Sequence, residues 1–312
     1  MTNPFRFRDR VLAGLRAPAG GATLPLDSYD FSVVLGGPSR VRRARAKQIL
    51  ASAGLLVTVL HSSVHAQPAE PDRSDLVKKA RNPLADLVSV QVQLNFNFNV
   101  GQNRDTEYVF NLQPVVPIHL PGEWNLITRT IVPLLNEPPS EPGQGYTFGI
   151  GDTQTTLFLS PPSSTMFIWG VGPVFQFPSA SSTSLGSGKW EIGPAAAGVL
   201  TWGSWVVGAQ AFNLWSFAGD SKRPDVNQML LQPLVTYTLP GDWYLTSSPQ
   251  VTANWKASSR DRWTAPIGAG VGKLFPIGRQ SVSAQAEAYY NAERPAGAST
   301  WTAILTVQFL FP

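Results

Sequence analysis

The longest regular pattern in the chain lies between Val88 and Val100, where apolar and polar residues alternate without interruption. The sequence there reads VSVQVQLNFNFNV: every second residue is Val, Leu or Phe, and those between are Ser, Gln or Asn. Successive side chains of a β-strand point to opposite faces, so this pattern predicts a strand with one apolar and one polar face. Strands of soluble proteins have about five or six residues, whereas this length fits a tilted strand that crosses a bilayer.

The same alternation recurs along the rest of the chain and predicts about twelve strands. Near the end, for example, Trp301, Leu305 and Phe309 alternate with Thr302, Thr306 and Gln308. The predicted strands are 87–100, 107–118, 124–134, 146–158, 166–177, 190–200, 204–215, 228–239, 243–255, 263–274, 280–290 and 300–311.

The connections between these strands alternate between two kinds. Short turns such as HLPGEW (119–124) and LPGDW (239–243) alternate with longer polar loops such as PSASSTSLGSGK (178–189). Outer-membrane barrels are built in this way, with short periplasmic turns and longer loops outside the cell. The predicted fold class is therefore all-β: a transmembrane, antiparallel, up-and-down β-barrel of about 12 strands, with both termini on the periplasmic side.

Tryptophan positions agree with a membrane-spanning barrel. Seven of them fall at or near predicted strand ends, where barrels carry aromatic girdles at the two membrane interfaces. They are Trp124, Trp190, Trp205, Trp243, Trp255, Trp263 and Trp301.

An internal repeat connects two of the predicted hairpins. Residues 112–126 (LQPVVPIHLPGEWNL) align without gaps to residues 231–245 (LQPLVTYTLPGDWYL), six strands further on. The repeat indicates either two related six-stranded halves or independent convergence on a useful turn.

The residues before the first strand divide into three segments. The order of a basic run (RVRRARAK), an apolar run (ILASAGLLVTVL) and small residues before Gln67 predicts a signal peptide at 40–66, cleaved after Ala66. Residues 1–39 are then a doubtful N-terminal extension, and Val41 is a candidate for the true start. Residues 67–86 are expected to form either a lumen plug or a periplasmic lead, and residues 87–312 form the barrel.

Charge and cysteine content limit the possible partners. Nine of the 24 Lys and Arg and three of the 20 Asp and Glu lie in residues 1–66, which leaves 15 basic and 17 acidic residues and a net charge of about −2. The basic character therefore belongs to the signal region and gives no support for nucleic-acid binding. The absence of cysteine excludes disulfides and thiolate metal sites.

Catalytic chemistry has little support in the sequence. His119 is the one histidine after residue 66, and it is predicted to be a solvated residue of a turn. Sequence motifs of hydrolases, metalloproteases and nucleotide-binding loops are absent. We therefore expect neither an enzyme nor a cofactor nor a metal site.

The polar face of the strands is the better candidate for function, because a barrel in lipid must turn it inward. A bulge in the fourth strand is expected to turn Asp152 inward toward Arg129. The predicted lumen-lining residues are Gln91, Gln93, Asn95, Asn97, Asn111, Gln113, Arg129, Asp152, Glu191, Gln232, Gln250, Asn254 and Glu287.

Several longer stretches resemble a known family. They include FGIGDTQTTLFLSP (148–161), LGSGKWEIGPAA (185–196), DVNQMLLQP (225–233) and the terminal VQFLFP (307–312). Over nearly all of 74–312 the chain resembles the bacterial outer-membrane proteins named for the MetA pathway of phenol degradation. The resemblance implies a transporter-like barrel and an association with aromatic compounds.

Together these features predict a channel in the bacterial outer membrane for passive diffusion of small, aromatic or weakly amphipathic molecules. Its expected partners are outer-membrane lipids, small solutes and, through the C-terminal strand, the barrel-assembly machinery. One alternative is a closed barrel with a structural or surface-binding role, and another is an outer-membrane lipid hydrolase.

Overall fold

In the part of the chain that the structure describes, one α-helix precedes twelve antiparallel strands. The computed structural model describes residues 73–139, 145–162 and 166–311, so the predicted signal peptide and the extension before it lie outside the described residues. The helix is α1 (Arg73–Arg81). The strands are β1 (Val88–Val100), β2 (Asp105–His119), β3 (Asn125–Glu137), β4 (Thr147–Ile150 and Thr153–Ser160), β5 (Phe167–Phe177), β6 (Lys189–Trp202), β7 (Trp205–Gly219), β8 (Asn227–Thr238), β9 (Trp243–Ser247 and Val251–Asn254), β10 (Trp263–Ile277), β11 (Gln280–Glu293) and β12 (Trp301–Phe311).

The sheet closes on itself. Each strand pairs with its neighbours in the chain, and β12 pairs with β1 from Val88↔Phe311 to Phe98↔Trp301. Closure gives every strand a hydrogen-bonding partner on both sides, which satisfies the backbone where no water is available. The predicted fold class, a twelve-stranded up-and-down barrel, is confirmed.

Side chains alternate between the two faces as the sequence predicts. On β1, Ser89 and Gln93 are buried inside the barrel, whereas Leu94 and Phe98 are exposed on its outer face. The outer face is exposed and apolar on the other strands as well, as at Ile267, which is 69% exposed. Such a surface is suited to lipid, because lipid contact carries none of the cost that water imposes on apolar groups.

Aromatic residues cluster near the two ends of the barrel. At the end with the short turns, here the turn end, Trp205 stacks on Trp202 at 6.3 Å between ring centroids and meets Tyr237 at 4.6 Å with the rings tilted. At the other end, the loop end, Trp255 meets Trp263 at 5.5 Å and Trp301 meets Tyr290 at 4.9 Å. These two sets are arranged as girdles at the membrane interfaces would be.

The internal repeat forms two turns with the same conformation. Gly122 and Gly241 have φ of 76° and 73°, and the acidic residues after them, Glu123 and Asp242, have φ of 62° and 64°. In both turns the residue before the Pro donates its N–H to the carbonyl of the following Trp, at 2.7 and 2.8 Å. The repeated LPGEW and LPGDW motifs therefore encode the same tight reversal, in which glycine supplies the left-handed backbone at little cost.

Two strands are interrupted within the barrel wall. β4 breaks at Gly151 and Asp152: Phe148 and Ile150 lie outside before the break, and Thr156 and Phe158 lie inside after it. β9 breaks between Ser247 and Val251, at a segment that contains Pro249 and cannot continue the ladder. Over the described ranges, no helix is long and apolar enough to cross a membrane.

The turn end contains the segment that precedes β1. Leu76 and Val77 of α1 are buried with Ala85 and Leu87 against Tyr244, Leu274 and Leu310, which point inward from β9, β10 and β12. Leu84 is buried in a second cluster with Ile127, Phe158 and Leu214 of β3, β4 and β7, among others. Residues 76–87 thus pack against two different sectors of the inner wall.

Candidate functional site: the barrel lumen

A ladder of amide side chains follows β1 along the inner face. Gln91 donates to Gln93 at 3.0 Å, Gln93 donates to Asn95 at 2.7 Å, and Gln113 of β2 donates to Gln93 at 3.1 Å. Asn97 donates to Glu107 at 2.7 Å. The strict polar alternation of β1 therefore forms a hydrogen-bonded strip of neutral groups inside the barrel.

Arg129 extends this network across the lumen. Its Nη2 donates to Gln113 at 2.7 Å and its Nη1 donates to Gln210 at 3.2 Å, so that it joins β3 to β7. Gln210 in turn donates to Gln232 at 2.6 Å, and Gln232 donates to the carbonyl of Ser248 at 3.2 Å. The break in β9 leaves the carbonyl of Ser248 without a partner from a neighbouring strand, and the side chain of Gln232 supplies the hydrogen bond instead.

Glu287 is the centre of a second network. Its carboxylate accepts hydrogen bonds from Ser248 at 3.1 Å, Tyr289 at 2.7 Å and Gln285 at 2.8 Å. Arg81, which ends α1, donates to Gln285 at 2.6 Å and to Thr246 at 3.1 Å. The segment before β1 is therefore hydrogen-bonded to the inner wall as well as packed against it.

Two adjoining cavities occupy the lumen. One of about 110 Å³ lies beside α1 and is lined by Arg81, Arg129 and Glu287 together with amide and apolar side chains. The other, of about 250 Å³, lies nearer the loop end and is lined by Asn95, Asn97, Asn111 and Tyr289 among others. Gln93, Ser248, Gln250 and Ile304 line both, so the polar space runs from near the loops down to α1.

Three of the predicted lumen residues lie away from these cavities, near the loop end. Asp152 accepts hydrogen bonds from the N–H and the hydroxyl of Ser187, at 2.5 and 2.9 Å, and from the N–H of Ala180. It holds the β5–β6 loop and does not meet Arg129, so the expected contact between them is wrong. Glu191 is buried and accepts hydrogen bonds from two glutamines, while Asn254 is exposed and caps the start of the next loop.

His119 lies outside the lumen networks, at the turn end. Its ring is 3.0 Å from the carboxylate of Asp86, and both side chains are largely exposed. This contact joins the β2–β3 turn to the segment before β1.

Sequence reasoning missed several residues of the lumen. Gln210 and Gln285 have the same inward parity as their neighbours, so alternation along β7 and β11 could have found them. Arg81 carries no such signal, because it precedes the strands and reaches the lumen through the packing of α1.

Comparison with solved structures agrees with the architecture. An outer membrane channel from Pseudomonas putida F1 superposes with a TM-score of 0.58 at 16% identity, over 79% of this chain and 100% of that one. The chain has the fold of an outer-membrane β-barrel. A weaker likeness is to the NanC porin, with a TM-score of 0.47 at 10% identity over 72% of this chain and 99% of that one. Another is to the phospholipase A of the Escherichia coli outer membrane, with a TM-score of 0.42 at 13% identity over 78% of this chain and 99% of that one.

Sequence comparisons add no family name. The chain matches no protein-family model. It also matches no curated protein.

Proposed function

We propose that this protein is a passive channel of the bacterial outer membrane, exported by the signal peptide at 40–66 and inserted by the barrel-assembly machinery. The observation that carries the proposal is the lumen itself, which is continuous in lining and rich in neutral hydrogen-bonding groups. An apolar outer face and a polar inner face are what a barrel needs to hold water within a bilayer. The solutes we propose are small and weakly amphipathic, aromatic compounds among them.

The proposal does not include catalysis. His119 is paired with Asp86 at the turn end, and Glu287 is surrounded by neutral donors. The Ser248 hydroxyl contacts Glu287 directly, and over the described ranges no histidine stands between them as the base of an acyl-transfer triad.

A second candidate function is a closed barrel with a structural or surface-binding role. The packing of residues 76–87 across the turn end favours it, because these residues narrow the path through the lumen. We propose that this segment is a plug, and that solute passes either when the plug is displaced or through the space left between the plug and the barrel wall.

Vesicle swelling with polyols and sugars of increasing size tests the channel against the closed barrel. Ile304 lines both cavities, whereas its neighbour Leu305 points outward and is 47% exposed. We expect swelling for small solutes with the unchanged protein, a reduced rate with Ile304→Trp, and an unchanged rate with Leu305→Trp. Absence of swelling for every solute, or equal effects of the two variants, would contradict passage through the lumen.

A further inference from the structure

The cavity beside α1 contains two cations that lack an anionic partner. Arg81 donates to Gln285 and Thr246, and Arg129 donates to Gln113 and Gln210, all of which are neutral. Among the described residues, neither guanidinium group is within ion-pair distance of a carboxylate. Burying a charge costs free energy unless an opposite charge compensates it, so a bound anion would stabilise this arrangement.

The charges that line this cavity do not balance. Lys79, Arg81 and Arg129 contribute three positive charges, and Glu287 is the only carboxylate among the described residues of the lining. Glu287 is already occupied, because three neutral donors bind its two oxygens.

The Arg81 guanidinium presents its two terminal nitrogens to the lumen, whereas its Nε is enclosed by protein. The Nε of Arg81 is buried and has no hydrogen-bond partner among the described residues. A guanidinium group matches a carboxylate in shape, since its planar fork can donate two parallel hydrogen bonds.

An apolar patch completes the cavity. Val115, Val199 and Leu234 line it together with the two arginines. Small-molecule sites combine an apolar wall with a few polar groups that fix orientation. An inorganic anion would use the arginines alone, whereas an amphipathic acid would use both parts of the lining.

We infer that this cavity binds the carboxylate of a small amphipathic acid between Arg81 and Arg129, with the apolar body of the acid against Val115, Val199 and Leu234. The inference rests on the proposed channel function and narrows its solutes to organic acids. Because Arg81 belongs to the segment before β1, the bound acid would bridge that segment to the barrel wall.

Fluorine NMR with 4-fluorobenzoate tests this site directly. The protein is taken from outer membranes of cells that express the full chain, and 4-fluorobenzyl alcohol serves as the neutral probe of matched shape. We expect saturable broadening of the benzoate signal. Arg81→Gln and Arg129→Gln should each weaken binding about tenfold, the factor expected for the loss of one charge-assisted hydrogen bond.

Two further variants keep the test independent of folding. Arg279→Gln changes an exposed arginine in the β10–β11 turn and should leave binding unchanged. Arg129→Lys retains the charge without the fork, so its affinity should lie between those of the unchanged protein and Arg129→Gln.

Three results would overturn the inference. They are equal binding of the alcohol and the acid, displacement of the acid by an equal concentration of sodium chloride, and unaltered binding in both arginine variants. Vesicle swelling distinguishes failure of this inference from failure of the proposed channel. If swelling is intact and benzoate does not bind, only the acid site is refuted. If benzoate binds and no solute causes swelling, the acid site is supported and the channel is refuted.

Discussion

Leu84 offers the sharpest test of how the segment before β1 is held in the barrel. Its side chain is 2% exposed and lies in one cluster with Ile127, Phe158 and Leu214 on the barrel wall. Removing a buried leucine side chain costs about 2–5 kcal/mol, since the lost contacts leave a cavity. Leu84→Ala should therefore shift the equilibrium between packed and displaced segment by about 30-fold or more.

Thiol labelling measures this shift. The chain contains no cysteine, so Val77→Cys introduces a single thiol at a position that is 1% exposed in α1. A polar maleimide reacts only when α1 leaves its site, and the labelling rate then reports the displaced fraction. Adding Leu84→Ala should raise that rate about 30-fold or more.

The matched control changes a leucine on the outer face. Leu245 is 50% exposed and points away from the lumen, so Leu245→Ala should leave the labelling rate of Val77→Cys unchanged. An unaltered rate in Leu84→Ala, or an equal rise in both variants, would refute the conclusion that Leu84 anchors the segment.

Three further predictions follow from local geometry. Gly122→Ala places a side chain at φ of 76° and should lower the free energy of unfolding by about 1–2 kcal/mol in urea titrations. A Cβ at Gly272 would overlap the ring of Tyr244, so Gly272→Ala should reduce the folded fraction seen by heat-dependent gel mobility, and adding Tyr244→Ala should reduce that fraction less than it does in the unchanged protein. The N–H of Ala296 and the hydroxyl of Ser258 lower the pKa of Asp261, so this contact stabilises above the unfolded pKa and is lost as pH falls through the folded one; the NMR chemical shift of the Ala296 amide should change with pH at a pKa below the usual range of aspartate.

The strands could be predicted from sequence because the barrel separates two solvents. Lipid outside and polar groups inside force a period of two, and β1 shows it over its whole length. Predicted strand ends agree with the structure to within a few residues, and the repeated LPG motif marks two turns with the same backbone.

The lumen was predictable only in part. Parity alone indicates which residues of β1 and β2 point inward, and the bulge at Asp152 agrees with the change of face along β4. Parity says nothing about contacts across the barrel, however. The partner of Asp152 proved to be a loop residue, Ser187, and the partner of Arg129 on the far wall is Gln210.

The role of Arg81 could not be derived from any strand pattern. Its place in the lumen depends on the docking of α1, which is decided by Leu76, Val77 and Leu84 together with surfaces distant in the sequence. A short helix with a few apolar residues has no periodic signal that distinguishes a plug from a free segment.

Single-channel conductance in a planar bilayer tests the central claim most directly. It compares the intact protein from outer membranes with a variant that lacks residues 67–86. We expect steady conductance from the intact protein and a higher conductance from the variant, because removal of α1 widens the turn end of the lumen. Absence of conductance from both proteins, in bilayers where insertion is demonstrated, would contradict the proposed channel function and support a closed barrel.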